Sequence, residues 1–190
     1  MKCLITLLAA VCAMAQTGIV EGRKDSPVRI LIYEDLQCPD CAAFRIMVDL
    51  RLLPKYGAKV AFEHRDFPLA KHSWARKAAV AARYFDTVTP DLGMQFRRET
   101  MAALKDIPPE KFNDHIAAFA KKQGLDGPKA VAALDDLRLN AIVEEDYQEG
   151  VARGVAKTPT VFVNGEPFIE TISLEEISKS IDTAIKEAGL

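Results

Sequence analysis

Two cysteines lie three positions apart, in the sequence Cys38-Pro39-Asp40-Cys41. A helix that begins here would place both sulfur atoms on one face, one turn apart. The free amide N–H groups and the dipole at the first turn of a helix stabilise a thiolate, which is the nucleophile in disulfide exchange. We therefore expect Cys38 to attack a disulfide and Cys41 to resolve the mixed disulfide that results.

Two other uses of the pair are open. A purely structural Cys38–Cys41 disulfide would close a very short loop, which stabilises a fold little. The pair could also be half of a zinc site, but zinc usually takes four ligands, and the histidines His64, His72 and His115 all lie far from the pair in sequence. The sequence favours an exchange-active pair and no metal site.

The first fifteen residues have the pattern of a secretory signal peptide. Lys2 precedes an apolar run over residues 3–15, which ends in a small-x-small cleavage site, Ala-Met-Ala. The run is shorter than the roughly 20 residues that a membrane-spanning helix needs. The sequence predicts a signal peptide over residues 1–15, a mature domain over residues 16–190, and a periplasmic or otherwise extracytoplasmic location.

Two alternatives stay open for this segment. One is a buried N-terminal helix, and the other is a lipoprotein signal ending at Cys12, although Val11 is larger than the residue that usually precedes a lipidated cysteine. Cleavage after residue 15 would remove Cys3 and Cys12 and leave the Cys38–Cys41 pair. In an exported protein, two cysteines usually form one disulfide.

The composition is that of a single globular domain. The chain has 190 residues, 49% of them hydrophobic, and a formal net charge of −2. These proportions exclude a mainly disordered chain and give no electrostatic reason to expect a nucleic-acid partner. We predict no nucleic-acid partner, no stable membrane span after cleavage, and a monomer.

Apolar periodicity predicts a β-α-β unit around the cysteines. Residues 27–33 form a run typical of a buried strand, and residues 59–65 alternate as a second strand. Between them, a helix is expected to begin at Cys38, with Pro39 in its first turn. Its predicted apolar face consists of Ala42, Ala43, Ile46, Met47, Leu50 and Leu53.

A helical block follows this unit, and the chain then returns to strands. Helices are predicted over residues 73–86, 93–105 and 110–123, with a fourth from Pro128 towards Gly150. These segments predict an α/β fold in which a helical subdomain, about residues 70–153, is inserted into a sheet.

The C-terminal part is predicted as a hairpin and a helix. Strands 160–163 and 167–169 flank the turn Asn164-Gly165. Ser173 opens a capping box for a last helix that reaches about Ala188. Before the hairpin, Thr158-Pro159 marks a strand entry, because a proline inside a sheet would remove a ladder donor.

The chain resembles the DsbA-like thiol:disulfide oxidoreductases of the thioredoxin superfamily. The resemblance rests on residues 27–44, which read PVRILIYEDLQCPDCAAF, on residues 65–69 with His72, and on residues 154–165. It spans nearly the whole mature chain. It implies a thioredoxin fold with an inserted helical subdomain and a redox-active disulfide, with no other cofactor.

The resemblance also implies a second half of the site. Pro159 would be a cis-proline facing Cys38 and Cys41, and Thr158 would offer its backbone to a client peptide in strand-like pairing. Pro39, Asp40, Thr158 and Pro159 are then expected to modulate the active site. Three aromatic residues could add to a client groove but are each expected mainly to pack: Phe67, Trp74 and Phe168.

Two positions depart from the family pattern. Members commonly have a carboxylate six residues before the first cysteine, as a proton acceptor for the second thiol, and here that position is Ile32. Glu34 and Asp35 are nearby, but acidic pairs at strand ends are usually solvated, so the proton acceptor stays open. Asp40 stands where strongly oxidising members have histidine, and its charge should repel the Cys38 thiolate.

These observations predict an exported enzyme that exchanges its disulfide with cysteines of exported proteins, as an oxidase. Its partners would be those client proteins and a redox protein that resets the pair. Two alternatives remain: a dedicated reductase or isomerase, and a non-catalytic thioredoxin-like chaperone or binding module.

Overall fold

A computed structural model describes residues 19–190, so the predicted signal peptide lies outside the described residues. In this part of the chain, one sheet has the strand order β1-β3-β2-β4-β5. The strands are β1 (Ile19–Gly22), β2 (Arg29–Glu34), β3 (Ala61–Asp66), β4 (Thr160–Val163) and β5 (Glu166–Ile169). The helices are α1 (Pro39–Met47), α2 (Leu53–Tyr56), α3 (Ala75–Val88), α4 (Pro90–Ala102), α5 (Phe112–Lys122), α6 (Gly127–Ala132), α7 (Leu137–Ala152) and α8 (Leu174–Glu187).

The predicted β-α-β unit is confirmed. β2 and β3 pair in parallel, with Ile32 opposite His64, and α1 lies between them in the chain. β4 pairs antiparallel with β2, with Val161 opposite Ile32. The edge strand β1 was not predicted, because its apolar part is only Ile19 and Val20, too short for a periodicity signal.

The helix that begins after Cys38 buries a different face from the predicted one. Ile46 is 60% exposed and Leu50 is 69% exposed. The buried stripe is instead Cys41, Phe44, Val48, Leu52 and Tyr56. A π-helical turn over Val48–Leu52 links α1 to α2 and widens the helix locally. Side chains spaced four residues apart in sequence, such as Val48, Leu52 and Tyr56, therefore stay on the face that packs against the sheet.

The predicted helical insertion is confirmed between β3 and β4, with one correction. The segment from Pro128 to Gly150 is two helices rather than one. Asp136 has extended backbone angles, φ −68° and ψ 115°, and its side chain accepts from the N–H groups of Arg138 and Leu139. An N-cap at this point ends the preceding 3₁₀ turn and begins α7.

The C-terminal predictions are confirmed. Asn164 and Gly165 both have positive φ, 51° and 88°, as a two-residue hairpin turn between β4 and β5 requires. Ser173 caps α8 by accepting from Glu176 N–H. α8 packs with α1 against one face of the sheet, in a core that includes Ile30, Val161 and Ile181.

Charged side chains join the sheet to the inserted helices. Arg97 of α4 is fully buried and lies 3.3 Å from Glu34 Oε1 of β2 and 2.7 Å from Asp66 Oδ1 of β3. Arg83 of α3 contacts Asp66 and Asp146. Within residues 19–190, no helix has both the length and the apolar character needed to cross a membrane.

Candidate active site

Cys38 and Cys41 lie at the N-terminus of α1, where the sequence placed them. Cys38 is the N-cap residue, and Pro39 is the first residue of the helix. Both cysteines carry free thiols and are buried, 4% and 2% exposed, within the apolar core of the inserted helices. Pro39 and Asp40 are exposed at the surface above them.

The two thiols have opposite electrostatic environments. A hydrogen bond from Cys41 is the largest influence on Cys38 and lowers its pKa to about 6, against the opposing effect of burial. The Thr158 side chain and the backbone N–H groups of Cys41 and Asp40 lower this pKa further. Burial raises the pKa of Cys41 well above its usual value, and the neighbouring Cys38 raises it again. The pair therefore holds one thiolate, on Cys38, at neutral pH.

The Thr158-Pro159 segment lies directly beside this thiolate. The peptide bond between the two residues is cis, and Cys38 Sγ lies 3.3 Å from Thr158 O, to which it donates when it is protonated. Thr158 and Pro159 are both buried. The structure thus brings together two motifs that are 120 residues apart in sequence.

A groove of about 260 Å³ opens next to Cys38. One wall is the segment Leu69–Lys71, which we call the leading wall, and the other is Ala156–Thr158, which we call the trailing wall. Lys157 of the trailing wall pairs with Glu170 at 2.8 Å. Both walls are loop segments, and Asp40 also lines the groove.

Glu34 and Asp35 are not solvated, contrary to the sequence-based expectation. They are 5% and 1% exposed, because the helical insertion and the loop after β3 cover the end of β2. Burial acts to raise the pKa of Glu34, but His64 and Arg97 together hold it below its usual value. Burial raises the pKa of Asp35 despite its hydrogen bonds.

Asp35 contacts both Cys41 and His72. The sequence offered Asp35, with Glu34, only as a possible replacement for the family's proton acceptor, and it predicted no role for His72. The Asp35 carboxylate contacts Leu69 N–H and His72 Nδ1, and Asp35 N–H donates to Cys41 Sγ at 3.4 Å. His72 does belong to the stretch that carries the family resemblance. Ile32, at the position of the family's carboxylate, is fully buried in the core under α1.

The aromatic candidates pack rather than line the groove. Phe67 stacks on Tyr147 and Trp74 stacks on Phe112, each at 4.6 Å between ring centroids. Phe168 lines a separate surface depression between β5 and α8. No group of His, Cys, Asp and Glu side chains in the described chain, residues 19–190, is arranged to hold a metal ion.

Comparisons with known proteins give a family and a fold. A family model described as thioredoxin matches residues 14–183. The chain is 30% identical over 148 residues to the Na(+)/H(+) antiporter NhaA of Herminiimonas arsenicoxydans, which covers 77% of this chain and 22% of that protein. The chain spans about a quarter of the length of the antiporter relatives it matches.

Two other matches resemble this chain over most of its length. It is 23% identical over 173 residues to disulfide bond formation protein D of Bacillus subtilis (strain 168), covering 88% of this chain and 77% of that one. The crystal structure of Wolbachia pipientis alpha-DsbA1 superposes with a TM-score of 0.79 at 17% identity, over 92% of this chain and 94% of that chain. The predicted thioredoxin fold with a helical insertion and the resemblance to DsbA-like proteins are confirmed.

Proposed function

The chain belongs to the thioredoxin family, and on that premise we propose that it is a thiol:disulfide oxidoreductase that exchanges a Cys38–Cys41 disulfide with cysteines of client proteins. The observation that carries the proposal is the Cys38 thiol. It lies at a helix N-terminus with a pKa lowered to about 6, against Thr158 O, at the edge of a groove. A structural cysteine would need neither the low pKa nor the groove.

The pKa difference favours oxidation of clients. A client thiolate attacks Cys38 Sγ of the disulfide, the Cys38–Cys41 bond breaks, and Cys41 leaves as a thiolate that takes up a proton. A second client thiolate then attacks the client sulfur of the mixed disulfide, and Cys38 leaves as a thiolate. The client loses two electrons and two protons, and the protein gains both electrons. Because a low-pKa thiolate is the better leaving group, the second step is fast in this direction.

In this proposal, the residues around the cysteines have separate roles. Thr158 presents its backbone to the client, and Pro159 holds that segment against Cys38. The disulfide itself is the only redox group required. A separate redox protein reoxidises the pair, and a signal peptide over residues 1–15 would deliver residues 16–190 to an extracytoplasmic compartment, where clients are also exported.

One observation favours the reverse reaction as a second candidate. Asp40 lies between the cysteines, exposed at the groove, and its charge disfavours the Cys38 thiolate. A weaker thiolate would shift the enzyme towards reduction or isomerisation of disulfides.

Two assays with the same protein separate these functions. Oxidation of a reduced peptide with two cysteines should proceed faster than reduction of insulin, and Cys38→Ser should abolish both. Cys41→Ser should accumulate mixed disulfides with clients, because the Cys38 thiolate remains and the resolving thiol is absent. If wild type matches Cys38→Ser in both assays, the proposed enzyme function is wrong. If insulin reduction is faster, the reductase candidate replaces the oxidase.

A further inference from the structure

One buried carboxylate joins the active-site turn to the leading wall of the groove. Gln37 N–H donates to Asp35 Oδ1 at 2.7 Å, and Leu69 N–H donates to Asp35 Oδ2 at 2.8 Å. His72 Nδ1 lies 2.8 Å from the same Oδ2. An ionised carboxylate offers acceptors only, so His72 Nδ1–H is the donor in this contact. Three groups from two separate loops therefore meet on one side chain.

Gln37 links the same two loops through further hydrogen bonds. Trp74 N–H donates to Gln37 Oε1 at 2.7 Å, and Gln37 Nε2–H donates to Ser73 Oγ at 3.3 Å. The turn over residues 35–37 thus holds the segment over residues 69–74 at both ends. The leading wall belongs to this segment, which lies outside any strand, so side-chain contacts rather than strand pairing set its distance from Cys38.

Asp35 also contacts both cysteines through its backbone. Cys38 N–H donates to Asp35 O at 3.0 Å, and Asp35 N–H donates to Cys41 Sγ at 3.4 Å. A shift of the Asp35 side chain would therefore move the leading wall relative to the thiols. A buried polar contact of this kind holds a single arrangement, because its loss leaves an unsatisfied buried group.

We propose that Asp35 and His72 form a positioning pair that holds the leading wall at the distance from Cys38 at which a client peptide binds. The inference rests on the proposed function and deepens it. His72 acts through Asp35, so it is a positioning residue, and its loss should weaken client binding more than it slows the chemical step. The His72 side chain is 16% exposed and belongs to none of the apolar core clusters of the described residues, so its replacement should cost little core packing.

The test compares two substitutions at one position. Asparagine places an amide N–H donor close to where the His72 Nδ1–H group lies, and leucine fills a similar volume without a donor. For a fluorescent peptide with two reduced cysteines, with oxidised glutathione present to reoxidise the enzyme, His72→Leu should raise KM about ten-fold, the effect of losing one hydrogen bond to a charged group. Its kcat should stay within about two-fold of wild type, and His72→Asn should restore KM.

His115→Leu is the matched control. His115 is also partly buried and contacts one hydroxyl, Thr100 Oγ1 at 3.0 Å, but it lies on α5, away from the groove lining. This substitution should leave KM unchanged. A His72→Leu variant with unchanged KM, or with changes equal to those of His115→Leu, would overturn the positioning pair.

A binding measurement separates this inference from the proposed function. The same fluorescent peptide with serines in place of both cysteines cannot react, so its Kd reports the groove alone. If wild type oxidises the reduced peptide no faster than Cys38→Ser, the proposed function fails. The Kd of the serine peptide still tests the positioning pair in that case. A weaker Kd for His72→Leu than for His115→Leu supports the pair, and equal Kd values overturn it.

A measurement on the wild-type protein covers the case in which His72→Leu does not fold. Leu69 N–H, bound to a buried carboxylate, should exchange with solvent deuterium far more slowly than a free peptide amide. Exchange at the free-peptide rate would show that the contact does not hold the wall and would overturn the inference.

Discussion

At the scale of single residues, the two thiols differ because hydrogen bonds outweigh burial at Cys38, whereas burial outweighs the hydrogen bond from Asp35 at Cys41. The sequence predicted the helix N-terminus as the source of thiolate stabilisation, and the backbone N–H groups of Asp40 and Cys41 do contribute. The largest influence, however, is the hydrogen bond from Cys41 itself. In the proposed exchange reaction, Cys41 would therefore activate Cys38 as well as resolve the mixed disulfide.

Replacing Asp40 with histidine should make Cys38 more acidic. In wild type we expect the Cys38 thiolate to titrate near a pKa of about 6. Exchange of a nearby negative charge for a neutral or positive ring should lower this pKa by about one unit, from Coulomb's law at an intermediate dielectric. The Cys38 pKa of both proteins is measured from thiolate absorbance as a function of pH. Asp40→Asn is the control that removes the charge without adding a ring. An unchanged or higher pKa in Asp40→His would contradict the prediction.

The sequence could identify the cysteines but not the groups around them. Spacing alone singled out Cys38 and Cys41, because each lies on a local helix pattern. Asp35 was expected to face solvent. It is buried because a loop more than 30 positions away in sequence closes over it, and the local sequence gives no sign of that contact. Thr158 and Pro159 could be placed beside Cys38 only through the family resemblance. Contacts between distant segments carry no local signal.

At the scale of elements, the inserted helices meet the sheet through charged side chains as well as apolar ones. Asp86 of α3 is part of this contact, near Arg83 and Arg97. Gly93 of α4 lies directly over it, where a Cβ would come 1.6 Å from Asp86 Oδ1. Burial raises the pKa of Asp86 to about 7.

Asp86→Asn should stabilise the protein at high pH. The folded pKa lies above the unfolded value of 3.8, so the native state binds more protons between these values, and stability falls as pH rises through that window. Asparagine at position 86 cannot ionise, so the variant does not lose this stability as pH rises. The advantage of Asp86→Asn over wild type should grow by about 2 kcal/mol from pH 5 to pH 8.

Denaturant unfolding at the two pH values measures this change. Asp106→Asn is the control, because it removes the same charge from an exposed position. A difference between Asp86→Asn and wild type that is the same at both pH values would show that Asp86 is ionised throughout.

Periodicity predicted the existence of helices better than their orientation. α1 carries apolar residues all round, so the sequence alone does not distinguish a face with Ile46 and Leu50 from one with Phe44 and Val48. In the fold, the face with Phe44 and Val48 packs against the sheet, and the π-helical turn keeps that face directed towards the sheet. The break at Asp136 was missed because apolar spacing continues across the N-cap.

At the scale of the whole molecule, the thiolate couples redox state to stability. The pKa of Cys38 is lowered from 9.0 to about 6 in the folded, reduced protein. A group with a lowered folded pKa stabilises the fold above its unfolded pKa, and this stabilisation is lost as pH falls through the folded pKa. The disulfide form has no such thiolate, and its short loop adds little. On the proposed function, folding would therefore favour the reduced form and make the disulfide oxidising.

The stability difference between reduced and oxidised protein should consequently depend on pH. The free energy of unfolding of the reduced form, minus that of the oxidised form, should grow by about 2 kcal/mol from pH 5 to pH 8. Unfolding in denaturant with and without a thiol reductant measures this difference. Cys38→Ser should give no such slope, and a flat difference in wild type would mean that Cys38 is not a stabilised thiolate.

The leading and trailing walls are the two ends of the inserted helical subdomain. The leading wall precedes α3, and the trailing wall follows α7, whereas the cysteines belong to α1. Under the proposed function, the insertion would therefore shape the client groove, and its trailing wall would also act on Cys38, because Thr158 lowers the Cys38 pKa. On that proposal, exchanging the insertion between relatives would change the client groove and the Cys38 pKa together, because Thr158 belongs to both.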